Sequence, residues 1–313
     1  MITLKELTKK EDLFVSGHGL CPGCGIPIIL KLVLRATEYP IVISNATGCL
    51  QIASTKFPAT SWKLNWIHSS LGNAASTISG IETMYRVLKK KGKLQTDTEI
   101  KFLAIVGDGG TNDIGLSSLS GAIERGHDFV YLCYDNQSYA NSGGQRSSAS
   151  PIGTSTSTTP TGKVLPGKLQ YRKDITKIIV AHKLPYVAQT APWNWEDLYT
   201  KAKKAFDIEG PAYLNVLNPC PKKWGIPSNK SIELTRIAAD TCVWPLYEIE
   251  AGKNINVNYK PENKLPVTEW LKSQNRFKHL LNIENRWIVD EIQDEVDQNW
   301  KWLLKQEKRG INN

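Results

Sequence analysis

The sequence predicts an α/β protein: a mostly parallel sheet with helices on both faces, followed by an irregular and helical C-terminal extension. Three observations predict it. Short apolar runs alternate with segments of helical period through most of the chain, the pattern of strand–helix–strand units. One unit has chemistry at both strand tips: Phe102 to Val106 leads into Gly107-Asp108-Gly109, and Phe129 to Tyr134 leads into Asp135-Asn136. The 26 residues between Gly109 and Asn136 leave room for a helix and a return strand. From about Glu248 the alternation stops and Lys, Asn and Trp become frequent. The chain is therefore divided into an α/β domain, residues 1–247, and an extension, residues 248–313, expected to dock on partner subunits.

The elements follow in order. Pro40 to Ala46 reads as a strand. His68 to Lys91 reads as a helix, with Leu71, Ala75, Ile78, Ile81, Tyr85 and Leu88 on roughly one face. Phe102 to Val106 is a strand, Leu116 to Arg125 a helix and Phe129 to Tyr134 a strand. Asp174 to Lys183 is a helix with an acid at its start. Tyr186 to Thr190 is a strand. Trp195 to Phe206 is an amphipathic helix with Asn194 as its N-cap, and Ala212 to Leu217 is a strand. In the extension Ile288, Ile292, Val296, Trp300 and Leu304 recur every four residues, an apolar helical stripe that packs on its own domain or on another subunit.

Composition narrows the function. A hydrophobic share of 41% and a charged share of 22% are those of a globular protein of 313 residues. No apolar run is long enough to span a bilayer, and the charged start MITLKELTKKEDLF lacks the apolar core of a secretory signal, so a cytoplasmic location is expected. The net charge of +9 suits anionic cofactors or an acidic partner as well as a plain lysine-rich surface. No helix-turn-helix, RNA-recognition or zinc-finger pattern accompanies it, so nucleic acid is not expected.

Strand tips on one edge of a parallel sheet are where α/β proteins bind ligands. Asp108 and Asn136 are hard oxygen donors suited to Mg²⁺ on a diphosphate, and the glycines let the backbone approach the phosphates. The Ser/Thr/Gly/Pro-rich loop 147–168 follows and is expected to wall the site.

Of six cysteines, Cys21 and Cys24 form C-x-x-C with turn residues between them. That pair alone fits zinc, a redox dithiol or an iron–sulfur cluster. Cys49 and Cys220 each follow a strand and can reach the edge that carries Asp108 and Asn136. Four thiolates match a [4Fe–4S] cluster and also a Cys₄ zinc site; one close pair with two distant singles favours the cluster. Cys133 and Cys242 read as core, the latter on a helix.

The segments GHGLCPGCG (17–25), ATGC (46–49), WIHSSLGNA (66–74), GDGGTNDIG (107–115), YDNQSYANSGGQRS (134–147) and NPCP (218–221) together resemble the thiamine-diphosphate-binding β subunits of 2-oxoacid:ferredoxin oxidoreductases, most closely those of the pyruvate enzyme. The resemblance covers roughly residues 10 to 250. It implies the thiamine-diphosphate-binding fold, with Cys21, Cys24, Cys49 and Cys220 as [4Fe–4S] ligands. It implies Asp108, Asn136 and the Ser138 carbonyl as Mg²⁺ ligands. Thr47, Gly48, Cys49, Gly107, Gly109, Gly110, Tyr139, Ala140, Asn141 and Ser142 would contact the cofactor, with Asn141 facing the reacting carbon. The implied reaction is reversible: pyruvate, coenzyme A and oxidised ferredoxin give acetyl-CoA, CO₂ and reduced ferredoxin, as in anaerobic metabolism. The carboxylate that activates the cofactor would come from an α subunit, so this chain alone is expected to be inactive. A γ or δ subunit with ferredoxin-type clusters would pass electrons to external ferredoxin. Ala140 and Ser142 depart from the Met and Thr common in pyruvate enzymes, which leaves another small 2-oxoacid or oxalate open as substrate.

Two other readings carry less of the sequence. A thiamine-dependent decarboxylase needs no cysteine set. A Cys₄-zinc structural or nucleic-acid-binding subunit leaves Asp108, Asn136 and SYANSGG without a role. Among single residues, Glu82 and Glu124 read as solvated helix positions, His68 as a helix-start or site histidine, and His18 as a turn residue or a shield for the cluster. Lys63 reads as a surface lysine, and Arg146 as a contact for coenzyme A phosphates.

Overall fold

A computed structural model describes residues 2–94 and 98–311. Eight strands form one sheet: β1 Ile41–Ala46, β2 Asn65–Ser69, β3 Lys101–Gly107, β4 Val130–Asp135, β5 Tyr186–Thr190, β6 Ala212–Leu217, β7 Tyr247–Glu250 and β8 Asn254–Val257. Their order is β2-β1-β3-β4-β6-β5-β7-β8. The first six run parallel, and β7 and β8 close one edge antiparallel.

Strand alternation sorts the core into two layers. Leu103, Ile105, Leu132, Leu214 and Val216 pack against helices Ile26–Leu34 and Trp195–Asp207. Phe102, Ala104, Val106, Tyr131 and Tyr213 face helices Ala74–Lys90, Leu116–Glu124 and Ile175–Val180. Covering both faces explains why the central strands β4, β5 and β6 are buried at every position. The caps are as expected: Asn194 accepts from the Asp197 N–H at 3.2 Å, and Asp174 from the Lys177 N–H at 3.1 Å.

Four expectations need correction. His68 lies in β2, not in a helix, which starts only at Ala74. The apolar period did run back through Leu71, but Trp66-Ile67-His68 pairs with β1 as an edge strand. Glu82 is not solvated: it is 2% exposed, receives Arg86 Nε at 2.7 Å and lies 2.8 Å from His127 Nδ1. Cys242 is buried as expected but follows helix Ser231–Asp240 in a left-handed turn, φ 58°.

The fourth concerns the extension. Tyr247 and Glu248 are consecutive in β7, so the change of composition at 248 falls inside a strand of the main sheet. The apolar stripe lies on one helix, Arg286–Ile311, that packs on its own chain. Ile288, Ile292 and Val296 join Trp224, Trp244 and Trp270 in a third cluster. Each such buried aliphatic side chain contributes on the order of 1.5–3 kcal/mol. The stripe therefore holds the extension to its own sheet and is not a free docking face.

Candidate cofactor and cysteine site

Parallel register brings four strand ends to one edge: β1 at Ala46, β3 at Gly107, β4 at Asp135 and β6 at Leu217. The residue that follows each strand, or lies within three of it, is chemically marked: Thr47-Gly48-Cys49, Asp108, Asn136 and Cys220.

Asp108 is buried, and both carboxylate oxygens are held. The Asn136 N–H donates to Oδ1 at 3.2 Å and the Ser147 hydroxyl to Oδ2 at 2.5 Å. Burial first, then the neighbouring Asp135, pushes the Asp108 carboxyl well above the usual range. Asp135 is itself held by Arg172 Nη2 at 2.9 Å and by the Gln137 N–H at 2.9 Å. A carboxylate retains acceptor capacity beyond two hydrogen bonds. Beside it, Asn136 Oδ1 accepts only the Ser138 hydroxyl at 3.2 Å, and the Ser138 carbonyl accepts the Ala140 N–H at 2.9 Å with one lone pair left. This is a hard oxygen set next to a charge that a divalent cation would offset, so the residues fit Mg²⁺. Gln137, between the two donors, sits at φ 63°, a left-handed conformation fixed by Ser150 Oγ on its carbonyl at 2.7 Å. Trp224 Nε1 donates to the Asn136 carbonyl at 2.8 Å and completes the turn.

In front of these groups is a cavity of about 120 Å³. The ten residues expected to contact the cofactor and the three expected to hold Mg²⁺ all line it, from Thr47 to Ser142, together with Leu71 and Tyr134. Asp108 is the sole carboxylate among the described lining residues. Tyr139 closes over Gly109, where an added Cβ would lie 2.3 Å from the ring, and its hydroxyl donates to Asp113 Oδ2 at 2.9 Å. Thr47 Oγ1 lies 2.7 Å from His68 Nε2, so His68 reaches the site through β2. The Ser142 hydroxyl donates to Gln145 Oε1 at 2.7 Å and is turned to its own loop.

The cysteine turns are brought together by close packing of glycine. Gly23 has φ +76° and lies so near Ser228 that a Cβ would meet its carbonyl at 2.3 Å. Gly25 abuts Pro219 and Asn218, with contacts of 2.6 and 2.7 Å for an added Cβ. These approaches seat the Cys21–Cys24 turn against the Cys220 loop. Burial raises the Cys24 thiol to about 12, followed by the charges of Cys220, Cys49 and Cys21. Burial also raises Cys49 to about 12, followed by Cys220, Cys21 and Asp108. All four thiols are free, and Cys133 and Cys242 are buried elsewhere.

Among the described residues no three His, Cys, Asp or Glu side chains converge on one ion. A [4Fe–4S] cluster presents a separate iron to each thiolate, so its ligands need proximity without convergence, and this set fits it. Cys49 belongs to both groups, since it lines the cavity and also interacts with the other thiols.

Loop 147–168 backs the site instead of lining its cavity. Ser147 and Ser150 brace Asp108 and Gln137 from behind, while residues 161–165 are exposed. Arg146 is exposed and donates to Gln170 Oε1 at 3.2 Å. Lys63 is exposed beside Glu11, and His18 stacks on Phe14 at 5.2 Å. Sequence reasoning missed Leu71, Tyr134, Ser147, Gln137, Arg172 and Trp224. Leu71, Tyr134, Gln137 and Ser147 lie inside marked segments, whereas Arg172 and Trp224 carried no local signal.

Residues 46–216 match the family model described as the thiamine pyrophosphate enzyme, C-terminal TPP binding domain. The chain is 44% identical to pyruvate synthase subunit PorB of Thermotoga maritima, over 97% of this chain and 95% of that one. It is 45% identical to PorB of Methanocaldococcus jannaschii, over 94% and 97%. It is 38% identical to ketoisovalerate oxidoreductase subunit VorB of Pyrococcus horikoshii, over 94% and 93%. Among solved structures, the 2-oxoglutarate:ferredoxin oxidoreductase from Magnetococcus marinus shares the fold, with a TM-score of 0.57 at 19% identity over 74% of this chain and 80% of that one.

Proposed function

The chain belongs to the pyruvate synthase PorB family of thiamine pyrophosphate enzymes, and from that premise we propose that it holds the diphosphate end of thiamine diphosphate beside a [4Fe–4S] cluster in a pyruvate:ferredoxin oxidoreductase. The observation that carries this reading is Cys49. It lines the cavity bounded by Asp108 and Asn136 and lies near enough to Cys21 and Cys220 for their charges to act on it. A cofactor there and a cluster there are neighbours without an intervening layer of protein.

When bound, thiamine diphosphate supplies the electron sink for loss of CO₂ from a 2-oxoacid, and a cluster takes up electrons singly. The residues of this chain would hold both groups. Asp108, Asn136 and the Ser138 carbonyl hold Mg²⁺. Gly107, Gly109 and Gly110 admit the diphosphate to the backbone. Thr47, Gly48, Tyr139, Ala140 and Ser142 shape the cavity, and Asn141, exposed at its rim, would face the reacting carbon. Cys21, Cys24, Cys49 and Cys220 hold the cluster.

The cavity also supports an incomplete site. About 120 Å³ is well below the roughly 300–1,000 Å³ of small-molecule sites, and its sole described carboxylate belongs to the metal set. A partner α subunit supplies the activating carboxylate and most contacts to the 2-oxoacid and coenzyme A. γ and δ subunits carry electrons to ferredoxin. The deciding measurement is anaerobic: iron and acid-labile sulfide per chain, with an EPR spectrum after dithionite. Close to four of each with a reduced-cluster signal is expected. Zinc in place of iron, with no visible absorbance, would remove electron transfer from the account.

A further inference from the structure

Arg276 comes from the extension, on the short 3-10 helix Asn275–Leu281, and packs behind the Asn136–Gln137 turn. It is 5% exposed. Its Nε donates to Gln274 Oε1 at 2.9 Å and its Nη2 to Gln137 Oε1 at 2.5 Å, both neutral amides. The guanidinium lies 4.3 Å over Trp224, 4.8 Å from Phe277 and 5.5 Å from Trp270. Nη1 is buried without a partner. Among the described residues Arg276 makes no ion pair, and of the two carboxylates whose charges also act on it Asp135 is engaged by Arg172 and Asp108 by the Ser147 hydroxyl and the Asn136 N–H.

A cation out of water with only amides and ring faces around it is costly unless a negative charge faces it. The surroundings point to where that charge would be. Trp224, under the guanidinium, closes the helical turn that Cys220 opens, and its N–H donates to the Cys220 carbonyl at 2.9 Å. Burial pulls Arg276 down to about 9, and Cys220 is the first group whose charge pushes it back. Lys223 is the other cation acting on Cys220 and also acts on Cys49, but it is held at the Gly143 carbonyl, where solvent screens it.

We propose that Arg276 is the built-in counter-charge of the four-cysteine group, raising the reduction potential of a cluster held by Cys21, Cys24, Cys49 and Cys220. The inference rests on the cluster reading above. Reduction adds one electron to the cluster, and a fixed buried cation nearby favours that added charge.

The test uses the full chain, reconstituted anaerobically with ferrous iron and sulfide, as wild type, Arg276→Met and Arg276→Lys. The midpoint is read by EPR during dithionite titration with mediators. Arg276→Met is expected to lower the reduction equilibrium constant tenfold or more, about 59 mV for one electron. Arg276→Lys is expected to stay within about threefold, a shift below that step. In the unloaded chain Arg276→Met should unfold at the same temperature as wild type or higher, because an uncompensated cation is gone. A folded Arg276→Met chain that takes up no cluster while Arg276→Lys does also supports the proposal. Full cluster content in Arg276→Met with an unmoved midpoint overturns it. So does failure of the unloaded Arg276→Met chain to fold, which marks a purely structural role. A wild-type chain without iron and sulfide defeats the cluster reading itself, an outcome distinct from both.

Discussion

Asp108 and Asn136 directly follow adjacent parallel strands, and the Asn136 N–H donates to Asp108 Oδ1 at 3.2 Å. The two oxygen donors are therefore fixed relative to each other before any cation arrives. Ser147 completes the brace from the other side. Ser147→Ala is expected to raise the Mg²⁺ concentration needed for thiamine diphosphate binding by roughly 10–100-fold, the range for losing a group that orients a metal ligand. Asp108→Asn should do so more severely. Calorimetric titration of the assembled enzyme at varied Mg²⁺ checks both, and an unchanged Mg²⁺ requirement in Ser147→Ala would contradict the brace.

Gly23 and Gly92 separate two costs of replacing glycine. Both have positive φ, but an added Cβ at Gly92 meets nothing within 4 Å, whereas at Gly23 it meets the Ser228 backbone. Gly92→Ala should cost about 1–2 kcal/mol, the left-handed penalty alone. Gly23→Ala should cost more and should also reduce iron content, because the Cys21–Cys24 turn must move off Ser228. Denaturant unfolding and iron analysis of the two variants would show it. Equal costs with equal iron would mean that the contact does not seat the turn.

Glu248 predicts an acid-dependent term in stability. Burial would raise its carboxyl, yet Tyr186, Lys204, Asn256 and Asn258 donate to it and hold it at about 2, below the ordinary 4.5. A carboxyl depressed on folding stabilises above its unfolded value and loses that contribution as pH falls through the folded one. The window is therefore between about 4.5 and about 2. Glu248→Gln should be less stable than wild type at pH 7 by about 1–3 kcal/mol, with the difference shrinking across that window. Thermal melts at stepped pH measure it.

Glu82 is buried against Arg86 and His127, and no cavity in the candidate site includes it. Glu82→Ala should destabilise the chain by on the order of 3 kcal/mol, since it strands buried polar partners. Turnover per folded assembled enzyme should be unchanged. A turnover loss greater than tenfold in the still-folded enzyme would make Glu82 a candidate for the activating carboxylate and remove the need for one from a partner.

Much of the fold was legible because strand and helix periods are local. Tyr186–Thr190 and Ala212–Leu217 stand at the boundaries read from apolar runs. Asp108, Asn136, Cys49 and Cys220 were legible as residues that follow strands, and a parallel sheet sends all such positions to one edge. What local pattern did not reveal was β2, whose residues 65–68 are half-buried or exposed and lack the alternation of a covered strand. Glu82 was misread because its helical spacing matches a solvated residue. Only the meeting of two helix faces with His127 buries it.

The sequence by itself determined five of the eight strands and placed Asp108, Asn136, Cys49 and Cys220 just after strand ends on one edge, because these follow from chain order and backbone geometry. The tertiary structure decided how those sets are supported. Ser147, Arg172, Trp224 and Arg276 lie 39, 37, 88 and 139 residues from the partners they hold. No periodicity encodes contacts at such separations. The Arg276 contact exists because the stripe on Arg286–Ile311 folds the extension back onto its own chain, which buries Arg276 behind the turn that carries Asn136.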